Sequence, residues 1–259
     1  MLMKISSTIM RRTSKSLKKI NIVKLATLSV DRRDQLSKQV FDIYHEHSED
    51  LNYTEFCQTF LQKQDIRLCL FYGEYDEIIG FINVTILNFK LEKYGNQAIF
   101  CAGAYFKSGY SFGSLAALYG LSEFIRFKTF NWNTPISYML LASNPVVYSA
   151  VAANSHSFYP SLKPMPDKIN ALLMAGAKVR GLTFNDQEKY LVKSQVTPRR
   201  ALSARALKRI EDDPHAQFYL NCNPDYMKGN ALLVWIELNL TSLMVGIGKS
   251  LKNLIKRSR

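Results

Sequence analysis

The segment Ser108-Gly109-Tyr110-Ser111-Phe112-Gly113 stands between an apolar, aromatic run at Gln97–Phe106 and an alanine- and leucine-rich stretch of helical spacing at Ser114–Arg126. That is the pattern of a strand, a loop of small residues and a helix start. The first turn of a helix has unpaired backbone N–H groups at the positive end of its dipole, and small residues ahead of it let a phosphate approach them. Tyr105, Phe106 and Lys107 at the strand end, the loop itself and Ser114 therefore form a candidate anion cradle. A second junction of the same kind follows at Ile136–Ala142. There Ser143-Asn144-Pro145 is a helix-start signal with proline at the first helical position, and Tyr148 lies three residues beyond that proline.

These junctions need a frame, and the rest of the chain supplies one. From Asp31 to His47 the apolar residues Leu36, Val40, Ile43 and Tyr44 recur at helical spacing, and Thr54–Lys63 reads as a second, short helix. Arg67–Tyr72 and Ile78–Ile86 are β-rich runs joined by Gly73-Glu74-Tyr75-Asp76-Glu77, the signature of a hairpin. Beyond Pro160 the pattern predicts a helix over about 169–179, a polar linker at Pro198-Arg199-Arg200 and a short helix over about 201–210. Strands are predicted at Gln217–Cys222 and Ala231–Leu238. The tail Thr241–Arg259 is amphipathic on a helical wheel, with Leu243, Ile247, Leu251, Leu254 and Ile255 opposite Lys249, Lys252 and Lys256. The expected organisation is a basic lead-in at 1–19, a core at 20–165 and a C-terminal helix–strand–strand–helix extension at 166–259.

The chain has 259 residues, 47% of them apolar, which is enough for a substantial core. Its formal charge of +13 is concentrated at the ends: seven Lys/Arg and no acid in residues 1–30, five Lys/Arg and no acid in residues 240–259. Subtracting those twelve charges leaves about +1 for the middle, which argues against nucleic acid as the partner, since that reading needs a basic stripe on the folded surface. Basic ends attract anionic lipid or an acidic protein by the same electrostatics. Cys57, Cys69, Cys101 and Cys222 show no paired spacing, which argues against a zinc module or a disulfide framework and fits a reducing cytoplasm. The apolar run at 231–247 is interrupted by Glu237, Asn239, Thr241 and Ser242, so no membrane span is expected.

The order helix, helix, hairpin, strand, small-residue loop, helix, strand, helix over roughly Ile20–Pro160 resembles the GNAT superfamily of N-acyltransferases. In that family the strand-to-helix loop reads Arg/Gln-x-x-Gly-x-Gly/Ala, and its backbone amides hold the coenzyme A pyrophosphate. Aligned on Gly113, this chain has Ser108 in place of the basic or amide residue and Ser111 in place of the first glycine. The run Leu140-Leu141-Ala142-Ser143-Asn144-Pro145-Val146-Val147-Tyr148 resembles the family's fifth strand entering its fourth helix. The resemblance implies an α/β (α+β) fold with a mixed, mostly antiparallel sheet splayed between strands 4 and 5, and helices on both faces.

It also implies direct acyl transfer from a thioester to an amine, with no permanently bound cofactor and with acyl-CoA or an acyl carrier protein as cosubstrate. Tyr105, Phe106, Lys107, Ser108, Gly109, Tyr110, Ser111, Phe112, Gly113, Ser114 and Asn144 would hold the donor. Tyr148 would protonate the leaving thiolate, and a backbone N–H in Ala104-Tyr105-Phe106-Lys107 would stabilise the carbonyl oxygen. Some relatives, the N-acyl amino acid synthases, take long-chain acyl groups from an acidic acyl carrier protein, a donor that basic ends and an altered loop would suit.

Plainer readings stand beside these. The loop serves as a strand-to-helix turn, Asn144 as a helix cap and Tyr148 as a packed amphipathic residue. His45 and His47, two apart on the first helix, cannot face the same way, which argues against a metal pair. A GNAT-fold protein without activity that binds lipid or an acyl carrier, and a membrane-surface protein acting through its basic ends, are the alternative functions.

Overall fold

The computed structural model describes residues 17–48, 50–61, 66–110, 112–155, 157–185, 190–193 and 210–238, with 202 and 208 between them. The amphipathic tail, nearly all of the helix over about 201–210 and most of the basic lead-in lie outside the described residues. The chain divides into two compact units, one of residues 1–85 and 102–122 and the other of residues 86–101 and 123–259. Among the described residues, eight strands follow the order β1-β2-β3-β4-β5-β8-β6, with β7 also on β8. They are β1 (Lys19–Lys24), β2 (Arg67–Tyr72), β3 (Ile78–Leu91), β4 (Gly95–Phe106), β5 (Ile136–Ala142), β6 (Phe158–Tyr159), β7 (Leu191–Lys193) and β8 (Asn230–Leu238).

In the first unit, helix α1 (Val30–His45) is capped by Ser29, whose hydroxyl accepts the Arg32 N–H. The short α2 (Tyr53–Phe56) carries a capping box between Asn52 and Glu55 and continues as a π-helical turn, Cys57–Leu61. β2 pairs antiparallel with β3, Leu70 opposite Phe81 and Leu68 opposite Asn83, so the predicted hairpin is present. β1 adds to the outer edge of β2. The sequence does not predict this strand, whose six residues carry polar Lys19, Asn21 and Lys24 among the apolar ones. Lys18 and Lys19 both reach Asp76 in the hairpin loop and hold its carboxyl below the usual carboxylate range.

Side chains alternate across this sheet. On one face Phe81 stacks on Tyr105, which meets Tyr44 of α1 and Phe60 of the π turn. On the other, Phe106 packs edge-on against Phe71 and Phe112. Gly80 of β3 makes the second arrangement fit: a Cβ there would lie 2.1 Å from the Phe106 ring and 2.9 Å from the Tyr105 carbonyl oxygen.

The second unit is built on β8. Leu233 and Trp235 pack with Ile99, Met139, Leu172 and Leu173 beneath α5 (Asp167–Arg180). Leu232, Val234 and Ile236 pack with Tyr148 of α4 (Pro145–Asn154) and Tyr219 of α6 (Pro214–Cys222). A strand covered on both faces reads as an unbroken apolar run, which is why Ala231–Leu238 is legible in the sequence. It pairs antiparallel with β5 along seven residues.

β4 and β5 are parallel, and their ladder covers only Ala98–Phe100 against Ile136–Tyr138. This short parallel pair within an otherwise antiparallel order is the topology that the resemblance implied, with helices on both faces of the sheet.

One prediction of secondary structure fails. Gln217–Cys222, expected as a strand, is the body of α6. The residues Phe218, Tyr219, Leu220 and Cys222 favour strands, but Asp213 accepts the N–H groups of His215 and Ala216, and Pro214 takes the first helical position. That cap outweighs the local β preference.

Substituting Gly80→Ala forces the Phe106 ring or the strand backbone to move. The expected result is a loss of about 1–3 kcal/mol in unfolding free energy, read from urea denaturation.

Candidate functional site

The cradle segment forms as a strand, turn and helix start within the first unit. Lys107 donates its N–H to the Ile79 carbonyl of β3, and Tyr110 donates its N–H to the Lys107 carbonyl, which closes the turn Lys107-Ser108-Gly109-Tyr110. Gly109 sits at the third turn position with φ +85°, the value that a type II turn requires and that glycine takes freely. Helix α3 (Gly113–Phe130) follows, and its first internal bond runs from the Ala116 N–H to the Phe112 carbonyl. The N–H groups of Gly113, Ser114 and Leu115 therefore have no carbonyl partner inside the helix.

Side-chain caps close α1, α2, α4 and α6. The residue ahead of α3 is Phe112, whose ring has no acceptor. Instead the ring is buried, stacked on Phe71 at 5.7 Å and 8° between planes, and pins the helix start to the sheet. A Cβ added to Gly113 would meet nothing within 4 Å, so the helix start is open in front. The chain already places one anion on this loop: Oε2 of Glu46 accepts the Ser108 N–H at 3.0 Å.

The sequence candidates fall into two groups. The side chains of Tyr105, Phe106 and Phe112 belong to the aromatic packing of the sheet, so what they offer a ligand is backbone. Lys107, Ser108, Gly109, Tyr110 and Gly113 form the turn and the open helix start, while Ser111 lies outside the described residues. In the second unit Asn144 caps α4, its Oδ1 accepting the Val147 N–H at 3.0 Å.

Tyr148 is fully buried and donates its hydroxyl proton to the Pro160 carbonyl at 2.8 Å. Its ring lies among Phe158, Phe218 and Tyr219. Burial pushes the phenol above its ordinary range and keeps it protonated. A cavity of about 430 Å³ in the same unit is lined by Pro160, Lys163, Asp167, Asn170, Phe218 and Cys222, among others. Burial also pushes the Cys222 thiol up, which disfavours a thiolate nucleophile there.

Glu46 and His47 were not singled out by the sequence as site residues. His47 Nε2 lies 2.7 Å from the Phe106 carbonyl oxygen, and its ring lies 6.0 Å from that of Tyr105. Both residues follow the end of α1, and only the tertiary fold brings them to the end of β4. Among the described residues no group of three or more His, Cys, Asp or Glu could hold a metal ion, and no helix is long and apolar enough to cross a membrane.

No protein-family model matches the chain, and no curated protein does. Among solved structures, it is similar to an acyl-CoA N-acyltransferase from Pseudomonas aeruginosa at 12% identity and TM-score 0.29, with 48% of this chain and 80% of that one covered. It is similar to an acetyltransferase of GNAT family from Streptococcus pneumoniae at 13% identity and TM-score 0.33, covering 57% and 92%. ElaA of Escherichia coli is similar at 14% identity and TM-score 0.31, covering 57% and 92%.

Replacing Tyr148→Phe leaves the Pro160 carbonyl without its donor. The expected cost is about 1 kcal/mol of stability. Tyr75, 89% exposed, is the control site where the same replacement costs nothing measurable in thermal or urea unfolding.

Proposed function

We propose that this chain is a divergent GNAT acyltransferase that moves an acyl group from a thioester donor, acyl-CoA or an acyl carrier protein, directly to an amine. The observation that carries the reading is the end of β4. Its ladder to β5 stops at Phe100, and the strand then runs through a glycine turn into a helix whose first N–H groups have no carbonyl partner inside the helix. Donor phosphate would lie on the N–H groups of Gly113, Ser114 and Leu115, where dipole and unpaired donors coincide.

Amine attack on a thioester places negative charge on the carbonyl oxygen, and a backbone N–H on the open edge of β4 would stabilise it. The Lys107 N–H faces β3, so strand alternation turns the N–H groups of Phe106 and Ala104 to the opposite edge. In this proposal Tyr148 gives its proton to the leaving thiolate, which requires it to release the Pro160 carbonyl. An acidic carrier protein as donor would be drawn by the basic ends of the chain, and cytoplasmic location with attachment to anionic membrane surfaces belongs to the same reading.

Thermal unfolding with coenzyme A, acetyl-CoA and a long-chain acyl-CoA tests the donor. A ligand at a hundredfold its Kd adds about 2.7 kcal/mol, a rise of several degrees in Tm. Silence from all three and from acyl carrier protein overturns the reading in favour of a binding protein for another ligand. Gly113→Ala is expected to leave the Tm of the free protein unchanged or higher while reducing the shift by the donor, because its methyl group occupies only the space in front of the helix.

Tyr148→Phe is expected to lower turnover at saturating donor by roughly tenfold or more. Unchanged turnover assigns the hydroxyl to Pro160 alone.

A further inference from the structure

The end of β4 carries a titratable group that the reading above does not use. In a strand, the N–H and C=O of one residue point to the same edge, and neighbouring residues point to opposite edges. The Lys107 N–H goes to Ile79 of β3, so both backbone groups of Phe106 face away from β3. His47 sits on that edge, with Nε2 at 2.7 Å from the Phe106 carbonyl oxygen. A carbonyl oxygen only accepts, so Nε2 carries the proton in either charge state, and the neutral ring keeps its lone pair on Nδ1. The residue is exposed, and among the described residues no hydrogen bond occupies Nδ1. The neighbouring Glu46 carboxylate is engaged with the Ser108 N–H.

We propose that His47 is the general base of the transfer, taking a proton from the attacking amine at Nδ1 while the Phe106 carbonyl fixes its tautomer. This inference rests on the acyltransferase reading and names a group that reading leaves unassigned. If the Phe106 N–H polarises the thioester carbonyl, the imidazole held by the C=O of the same residue stands beside the carbon under attack.

The protons balance. An ammonium nitrogen carries two more protons than the amide it becomes. One passes to Nδ1 and on to solvent. The C–N bond forms, the C–S bond breaks with its electron pair on sulfur, Tyr148 protonates the leaving thiolate, and the other proton restores the Tyr148 phenol.

Two substitutions separate base from scaffold. His47→Gln keeps an N–H donor for the Phe106 carbonyl but has no basic nitrogen, and His47→Ala removes both. With acetyl-CoA as donor, acceptors of contrasting basicity are compared at neutral pH: butylamine, which is protonated there, and trifluoroethylamine, which is neutral. His47→Gln is expected to cut kcat/KM for butylamine by roughly a hundredfold or more, and that for trifluoroethylamine far less, since a neutral amine needs no prior deprotonation. Equal losses with both amines, or none, overturn the proposal.

A second measurement needs no substrate. Long-range proton–nitrogen spectra of the imidazole, assigned with His47→Gln, are expected to show the neutral ring protonated on Nε2, and a ring protonated on Nδ1 overturns the proposal. A wild-type protein that transfers to neither amine and shows no thermal shift with coenzyme A or its thioesters overturns the acyltransferase reading, and the base assignment falls with it. A thermal shift with an unchanged variant overturns the base assignment alone.

Discussion

β4 loses its neighbour on one edge after Phe100 and keeps β3 on the other as far as the Lys107 N–H on Ile79. A strand with a single paired edge must satisfy or expose the backbone groups on the other, and every feature of the candidate site answers to that condition. His47 takes one of the carbonyls, Glu46 takes the Ser108 amide of the following turn, and the helix that begins at Gly113 has first amides with no carbonyl partner inside the helix. In most proteins an open edge is blunted by charge or by a bulge. Here the edge is short, polar groups of the chain stand along it, and the turn that ends it needs a glycine at one position only.

The rigidity of this edge comes from aromatic packing on both faces of the sheet. Tyr105 and Phe106 are neighbours in sequence and point to opposite faces, one into the cluster under α1, the other against Phe71 and Phe112. Phe112 then ties the start of α3 to the same layer. The polar backbone is held in place by apolar side chains of the very residues that present it.

Much of this was legible in the sequence, for identifiable reasons. The strand at Ile136–Ala142, the helix after Asn144-Pro145 and the hairpin around Gly73–Glu77 each carry local chemistry that fixes them: a cap, a proline, a loop beginning with glycine. The buried strand at Asn230–Leu238 shows as an apolar run. Other features were hidden, among them the two short strands β6 and β7. β1 is an edge strand whose first residue, Lys19, serves Asp76 together with the preceding Lys18, so its polar residues masked its pairing. α6 has β-prone residues, and only the Asp213-Pro214 start reveals it. Glu46 and His47 act across some sixty residues of sequence, and nothing in their own neighbourhood announces a partner at Phe106 or Ser108.

The position of β8 has a consequence for how the molecule comes into being. This strand is drawn from residues 230–238, yet it lies beside β5, β6 and β7 and supplies both apolar layers of the second unit. On the ribosome, β5 therefore emerges long before its antiparallel neighbour, and the apolar faces of α4 and α5 wait for tens of residues of further synthesis without the strand that covers them. Pairing over so long a stretch of chain is slow and exposes intermediates. The nascent second unit is thus a natural client for chaperones until residues 230–238 are made, while α1, β2 and β3 of the first unit already have one another.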